Sequence, residues 1–200
     1  MALWRVVEGS SKADTVWAVL LAGGGCWVVV YLLLPKPMWI YVFGHELTHV
    51  IWTWMMGGQV KKFKVTSGGG HVVVTRSGFL VALAPYFFPL YAMFVAALFG
   101  IGNLIWNWQP YLVFFHLLLG AAYAFHLTLT WHILKSQQSD ITDQGYIFSF
   151  VVIFLGNAIV LLLGIPLLTK SVTVQQAFTY WWENTVAIAM AFTKMIPTLP

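Results

Sequence analysis

The sequence predicts an all-α polytopic membrane protein of five to six transmembrane helices, with one small membrane-associated β-hairpin. Three observations carry that prediction. Of the 200 residues, 60% are hydrophobic and only 8% charged, with a mean hydropathy of +0.81, far from the half-apolar, quarter-charged profile of a soluble domain. Apolar runs of about 20 residues, the length a helix needs to cross a hydrocarbon core, recur along the chain. Between two of them lies a polar segment that alternates with period two around a triple glycine. No repeat or low-complexity tract divides the chain, so residues 1–200 read as one domain.

The first 14 residues mix Arg5 and Lys12 with Glu8 and Asp14. The apolar run after them, 15–34, is longer than a signal-peptide core and is expected to stay as a span. It holds the one cysteine, Cys26, which has no partner for an internal disulfide and is expected to be a small buried residue. Pro35 and Pro37 flank Lys36 and leave room only for a tight helical hairpin into the second span, 38–56.

The third span, 79–102, contains Pro85 and Pro89, which should kink it. The fourth and fifth are 111–133 and 146–168, the latter with Asn157 as polar glue between helices. A sixth stretch, 174–196, carries Gln175, Gln176, Glu183, Asn184 and Lys194, and either spans or lies in the interface with Trp181 and Trp182 at headgroup level.

Formal net charge is +4. The basic residues sit beside apolar spans and form no stripe, which suits lipid headgroups rather than nucleic acid. Arg5 and Lys12, then Lys61, Lys62, Lys64 and Arg76, then Lys135 outweigh Lys36, the uncharged 103–110 loop and Lys170 on the alternate side. Residues 1–14, 58–77 and 134–145 are therefore expected to be cytoplasmic.

The polar segment is "QVKKFKVTSGGGHVVVTRSG". Phe63 and Val65 alternate with Lys62, Lys64 and Thr66, Gly68 to Gly70 offer a turn, and the residues from His71 to Thr75 are β-branched apart from the histidine. A hairpin over 60–75 follows, either a shield for the helices or an edge strand able to pair with an extended peptide.

The chemistry is concentrated in "YVFGHELTHVIWTW". An ionisable group in such an apolar run is expensive unless paired or coordinated. His45-Glu46-Leu47-Thr48-His49 has the H-E-x-x-H spacing, in which the histidines fall one helical turn apart and can share a metal ion, leaving Glu46 offset to handle a proton. Tetrahedral zinc with two histidines and an open position needs one more protein ligand. His71, His116, His126, His132, Asp140 and Asp143 are the candidates. His126 and Asp140 would be about 21 Å apart along one unbroken helix, so both serve only if "KSQQSD" breaks it. Asp140 is favoured, because it lies just past the fourth span on the side to which the second span carries His49. Its competing role is to cap the next helix, with Asp143 in the first turn. Asp143, His126 and His132 are the substitutes.

"FGHELTHVIWTWMMGGQV", with its Gly-Gly just past the signature and a β-rich connection next, resembles the site-2 protease family of intramembrane zinc metalloproteases. The aspartate in "QQSDITDQG" extends the resemblance. The family's common Asn-Pro…Leu-Asp-Gly pattern is absent, and "SDITDQG" is more similar to the short bacterial members. The resemblance implies a multi-pass protein of a bacterial cell membrane.

The function expected is that of an intramembrane zinc endopeptidase. Zn2+ held by His45, His49 and Asp140 would activate a peptide carbonyl and a water, and Glu46 would move the proton. The substrate would be a membrane protein cut in or near a transmembrane segment, extended locally against the hairpin. The alternative is a non-proteolytic membrane protein using zinc for structure, partner binding or metal handling. That reading gives no reason for Glu46.

Overall fold

The computed structural model describes residues 1–66 and 68–195. Ser67, in the expected hairpin turn, and Ile196, the end of the sixth apolar stretch, lie outside the described residues. In chain order the elements are α1 (Ala2–Gly9), α2 (Asp14–Leu33), α3 (Met38–Met55), β1 (Val60–Thr66), β2 (Gly69–Val74), α4 (Phe79–Phe87), α5 (Leu90–Trp106), a single 3-10 turn (Gln109–Tyr111), α6 (Leu112–Ile133), the four-residue α7 (Ser139–Thr142), α8 (Tyr146–Thr169) and α9 (Val174–Met195).

Three helical segments are long and apolar enough to cross a membrane: Asp14–Leu33, Gln109–Ile133 and Tyr146–Thr169. A fourth arises if α4 and α5, bent by 74° at their junction, count as one broken span. Five to six spans were expected; α3 and α9 fall short of that standard. The reason is compositional. His45, Glu46, Thr48 and His49 interrupt α3, while Gln175, Gln176, Glu183 and Asn184 interrupt α9.

By packing, the described residues fall into two compact units, 17–156 and 1–16 with the described residues from 157 onward. In the smaller unit α1, a helix the sequence reading did not anticipate, packs on α9. Its Val6 and the Ala177 of α9 are fully buried. Arg5 pairs with Glu183 at 2.7 Å and lies over the Tyr180 ring.

The larger unit carries the chemistry. Its α2 and α6 meet along a glycine seam: a Cβ on Gly23 would land on the Leu117 carbonyl, and one on Gly120 on the Leu20 carbonyl. Such backbone proximity is what small residues permit between apolar helices. Trp27 Nε1 donates to Thr128 Oγ1 at 2.8 Å across the same pair. Because the seam is narrow, the rest of α2 faces outward, and Cys26, expected to be buried, is exposed.

The two prolines of the third span do more than kink it. Pro89 disfavours the helical region for Phe88, which adopts φ −95°, ψ 105°, so α4 stops and α5 restarts after Pro89. Beneath the break, Leu83, Ala84, Tyr86 and Phe87 form a buried cluster, joined by Trp52 of α3 and Val152 and Ile153 of α8. A second cluster, Tyr41, Val42, Phe125 and Leu129, ties α3 to α6 and takes Val65 from β1.

The hairpin forms as an antiparallel pair with Lys64 opposite His71 and Val65 opposite Gly70, and with an irregularity between Val60 and Lys62. Gly69 and Gly70 belong to β2 rather than to the turn, and Thr66 Oγ1 donates to the Gly69 carbonyl at 2.6 Å.

Candidate metal centre

The site is built on α3. Its histidines, four residues apart, share one face, with ring centroids 5.0 Å apart and the rings edge to face. Thr48 between them turns its hydroxyl back to the Gly44 carbonyl at 2.7 Å, so it makes no demand on the site. Gly44 has no side chain because Tyr91 of α5 occupies that space; a Cβ there would stand 2.6 Å from the Tyr91 ring. Tyr91 donates its hydroxyl to the Ile40 carbonyl and so anchors α3 against α5.

The third group arrives from a different part of the chain. After α6 ends, the segment 134–138 folds back, and α7 delivers Asp140 to the two histidines. Its Oδ2 lies 3.3 Å from His45 Nε2 and 3.5 Å from His49 Nε2. The side chains of His45, His49 and Asp140 are only 9%, 11% and 25% exposed, and one ligand atom from each lies within 4.8 Å of the others. This cluster could hold a metal ion.

Hydrogen bonding presents the lone pairs inward. His49 Nδ1 donates to the Val81 carbonyl at 2.8 Å. A carbonyl can only accept, so neutral His49 carries its proton on Nδ1 and turns a bare Nε2 toward Asp140. Two lone-pair atoms then face each other at 3.5 Å, an arrangement that a cation between them relieves. Tyr86 Oη donates to the same Asp140 Oδ2 at 3.1 Å, the outer contact that orients a ligating carboxylate. With the imidazoles protonated instead, burial still works to raise the Asp140 carboxyl pKa, but the hydrogen bonds and charges of His45 and His49 outweigh it and hold the group well below the ordinary carboxylate range.

Glu46 is buried beside the cluster but is not part of it. Gly70 of β2 lies against it: a Cβ at that position would meet Glu46 Cγ at 2.7 Å, the Lys64 carbonyl at 2.8 Å and Glu46 Oε1 at 3.0 Å. The hairpin therefore passes over the glutamate with bare backbone. A groove of about 480 Å³ opens here, lined by the three clustered residues, Glu46 and much of β2. Among the described residues β2 pairs only with β1, so its other edge is free.

The remaining sequence candidates lie elsewhere. His71 lines the groove from the exposed side of the hairpin, outside the cluster. His116 and His126 are buried on α6 and His132 is half-buried near its end, none of them in the cluster. Asp143 is exposed at the C-terminus of α7. Neither aspartate lies in α8, which begins at Tyr146, and Asp140 turns to the histidines rather than capping a helix.

Sequence reasoning missed Tyr86, the Val81 carbonyl and the contact of Gly70 with Glu46. The one available signal was a phenol in "LAPYFFPLY", since a tyrosine in an apolar span usually seeks a partner for its hydroxyl.

No family model matches the chain, and no curated protein or solved structure matches it either.

Proposed function

We propose that the chain is an intramembrane zinc endopeptidase, similar in its signature to the site-2 protease family. The observation that carries this reading is the spacing of the donors. Tetrahedral zinc with bonds of 2.0–2.2 Å sets its ligands about 3.4 Å apart, and Asp140 Oδ2 stands 3.3 and 3.5 Å from the two Nε2 atoms. Two imidazoles and one carboxylate form a known catalytic set with a position left open. A structural zinc site would be closed by a fourth protein ligand, and among the described residues the cluster has three.

Bound there, zinc supplies Lewis acidity, polarising a peptide carbonyl and making water a better nucleophile near neutral pH. The chain's own residues do the rest. Glu46, beside the groove and outside the donor set, takes a proton from the attacking water and passes it to the leaving amine. Tyr86 holds Asp140 in place, and Val81 holds the tautomer of His49. A helical substrate hides its carbonyls, so the scissile segment must be extended. The free edge of β2 along the groove offers backbone partners for it.

On this reading the substrate is a membrane protein and the lipid bilayer is the second partner. Residues 1–14, 58–77 and 134–145 face the cytoplasm, and α3 crosses the membrane inside the other helices.

Co-expression with tagged single-span proteins tests the proposal. The wild type should release a cleavage product that Glu46→Gln reduces by at least about 100-fold while zinc stays bound. Cleavage by Glu46→Gln near the wild-type rate would remove Glu46 from the mechanism.

A further inference from the structure

On the far side of the donor set lies a second, much smaller cavity of about 20 Å³, lined by residues of α3, the α4–α5 junction and α6, among them Tyr41, His45 and His126. Each of these three contributes a buried polar atom with no hydrogen-bond partner among the described residues: Tyr41 Oη, His45 Nδ1 and His126 Nε2. The Tyr41 hydroxyl approaches Thr130 without reaching hydrogen-bond geometry. The other hydroxyls on the wall are already used, Thr48 on Gly44 and Tyr91 on Ile40.

A buried polar atom without a partner is destabilising by roughly 1–3 kcal/mol, and three belonging to residues that line one small cavity call for a common explanation. A cavity needs about 10–15 Å³ of this kind of volume to hold one water, and a buried water makes about three hydrogen bonds. Both conditions are met.

We infer that a structural water fills this cavity and makes His126 a positioning residue for the metal centre, acting through the water on His45. The inference rests on the zinc reading of His45, and the hydrogen-bond chemistry follows from it. If His45 gives its Nε2 lone pair to the metal, its proton is on Nδ1. That N–H donates to the water, as does Tyr41 Oη, and the water donates to His126 Nε2. All three atoms are satisfied with no charge on His126. His45 then acquires what the Val81 carbonyl gives His49, an outer partner that fixes tautomer and ring angle. Such partners typically govern metal affinity by 10- to 100-fold. His126 thus has a role without being a ligand.

The test uses the full chain in detergent, with zinc affinity measured by competition against a chromophoric chelator. His126→Phe fills the cavity and removes the acceptor; it should weaken zinc binding about 10- to 100-fold. His126→Gln keeps an acceptor at similar reach and should stay within about threefold of wild type, a recovery that a packing role alone would not give. Wild-type affinity in a folded His126→Phe protein overturns the inference. A wild type that binds no zinc overturns the zinc reading instead. Ring-nitrogen spectra of the zinc-loaded, 15N-histidine-labelled protein then decide the bridge independently of affinity. A protonated His45 Nδ1 whose signal moves in His126→Gln supports the water link, and an unmoved signal overturns it. The same spectra on wild type show whether His126 Nε2 is an acceptor, should His126→Phe fail to fold.

Discussion

The helices α2 and α3 are neighbours in sequence and opposites in placement. α2 is the more apolar, yet of its 20 residues Gly23 alone is buried, and Leu21, Leu32 and Leu33 are at least 70% exposed. α3 carries two histidines, a glutamate and two threonines, and it buries eight of its 18 residues, Glu46, Thr48, His49 and Thr53 among them. In water the ranking would be reversed. Where lipid is the solvent, apolar surface gains nothing by leaving it, and the polar helix is the one that must be enclosed. Within the larger unit the strongly apolar α2 thus keeps its sides outward, while the polar-interrupted α3 is enclosed by α4, α5 and the hairpin.

Breaking α3 should have the largest effect. Replacing both His45 and His49 by alanine should eliminate zinc from the purified protein and cleavage with it, as elemental analysis beside the co-expression assay will show; unchanged metal content would mean the ion lies elsewhere. Next comes the lid on Glu46. Gly70→Ala pushes a methyl group into Glu46 Cγ and the Lys64 carbonyl. Displacing a catalytic group by even 1 Å can lower rates about 100-fold, so cleavage should fall about 10- to 100-fold with zinc still bound. Wild-type cleavage in Gly70→Ala would show that the hairpin yields freely.

On α2 the expected effects are structural and smaller. Gly23→Leu drives a side chain into the Leu117 backbone and should destabilise the α2–α6 seam by about 1–3 kcal/mol, read as a lower detergent Tm. Leu32→Ala, on the exposed face, should shift stability by no more than about 0.5 kcal/mol and leave zinc untouched. A large loss at Leu32 would mean that this face is covered by protein, and the contrast with α3 would fail.

Local chemistry was legible in the sequence. The i, i+4 histidines needed only helical geometry. A bend in the third span was legible from its prolines, although Pro85 stays inside α4 and the full break comes at Phe88 and Pro89. The hairpin showed in its alternation. What depended on the path of the chain was not legible. Asp140 was favoured as a ligand but could equally have served a helix N-terminus by local chemistry alone, and only the turn after Ile133 carries it back to α3. Gly70 looked like turn material, whereas its missing side chain makes room for Glu46. Tyr86 and the Val81 carbonyl reach the site from α4, which comes beside α3 only in the fold. Cys26 was placed inside by residue type, but the narrow glycine seam leaves it outside. α1 is too short and too mixed to announce itself, and its partner α9 lies far along the sequence.

The most direct test of the zinc centre is X-ray absorption at the zinc edge on purified wild type and Asp140→Asn, with metal content measured on the same samples. The wild type should hold about one zinc per chain in a shell of nitrogen and oxygen donors at about 2.0–2.1 Å, and Asp140→Asn should lose most of that zinc. Full occupancy with an unaltered spectrum in Asp140→Asn, or a wild type without zinc, would contradict the assignment of His45, His49 and Asp140 as the site.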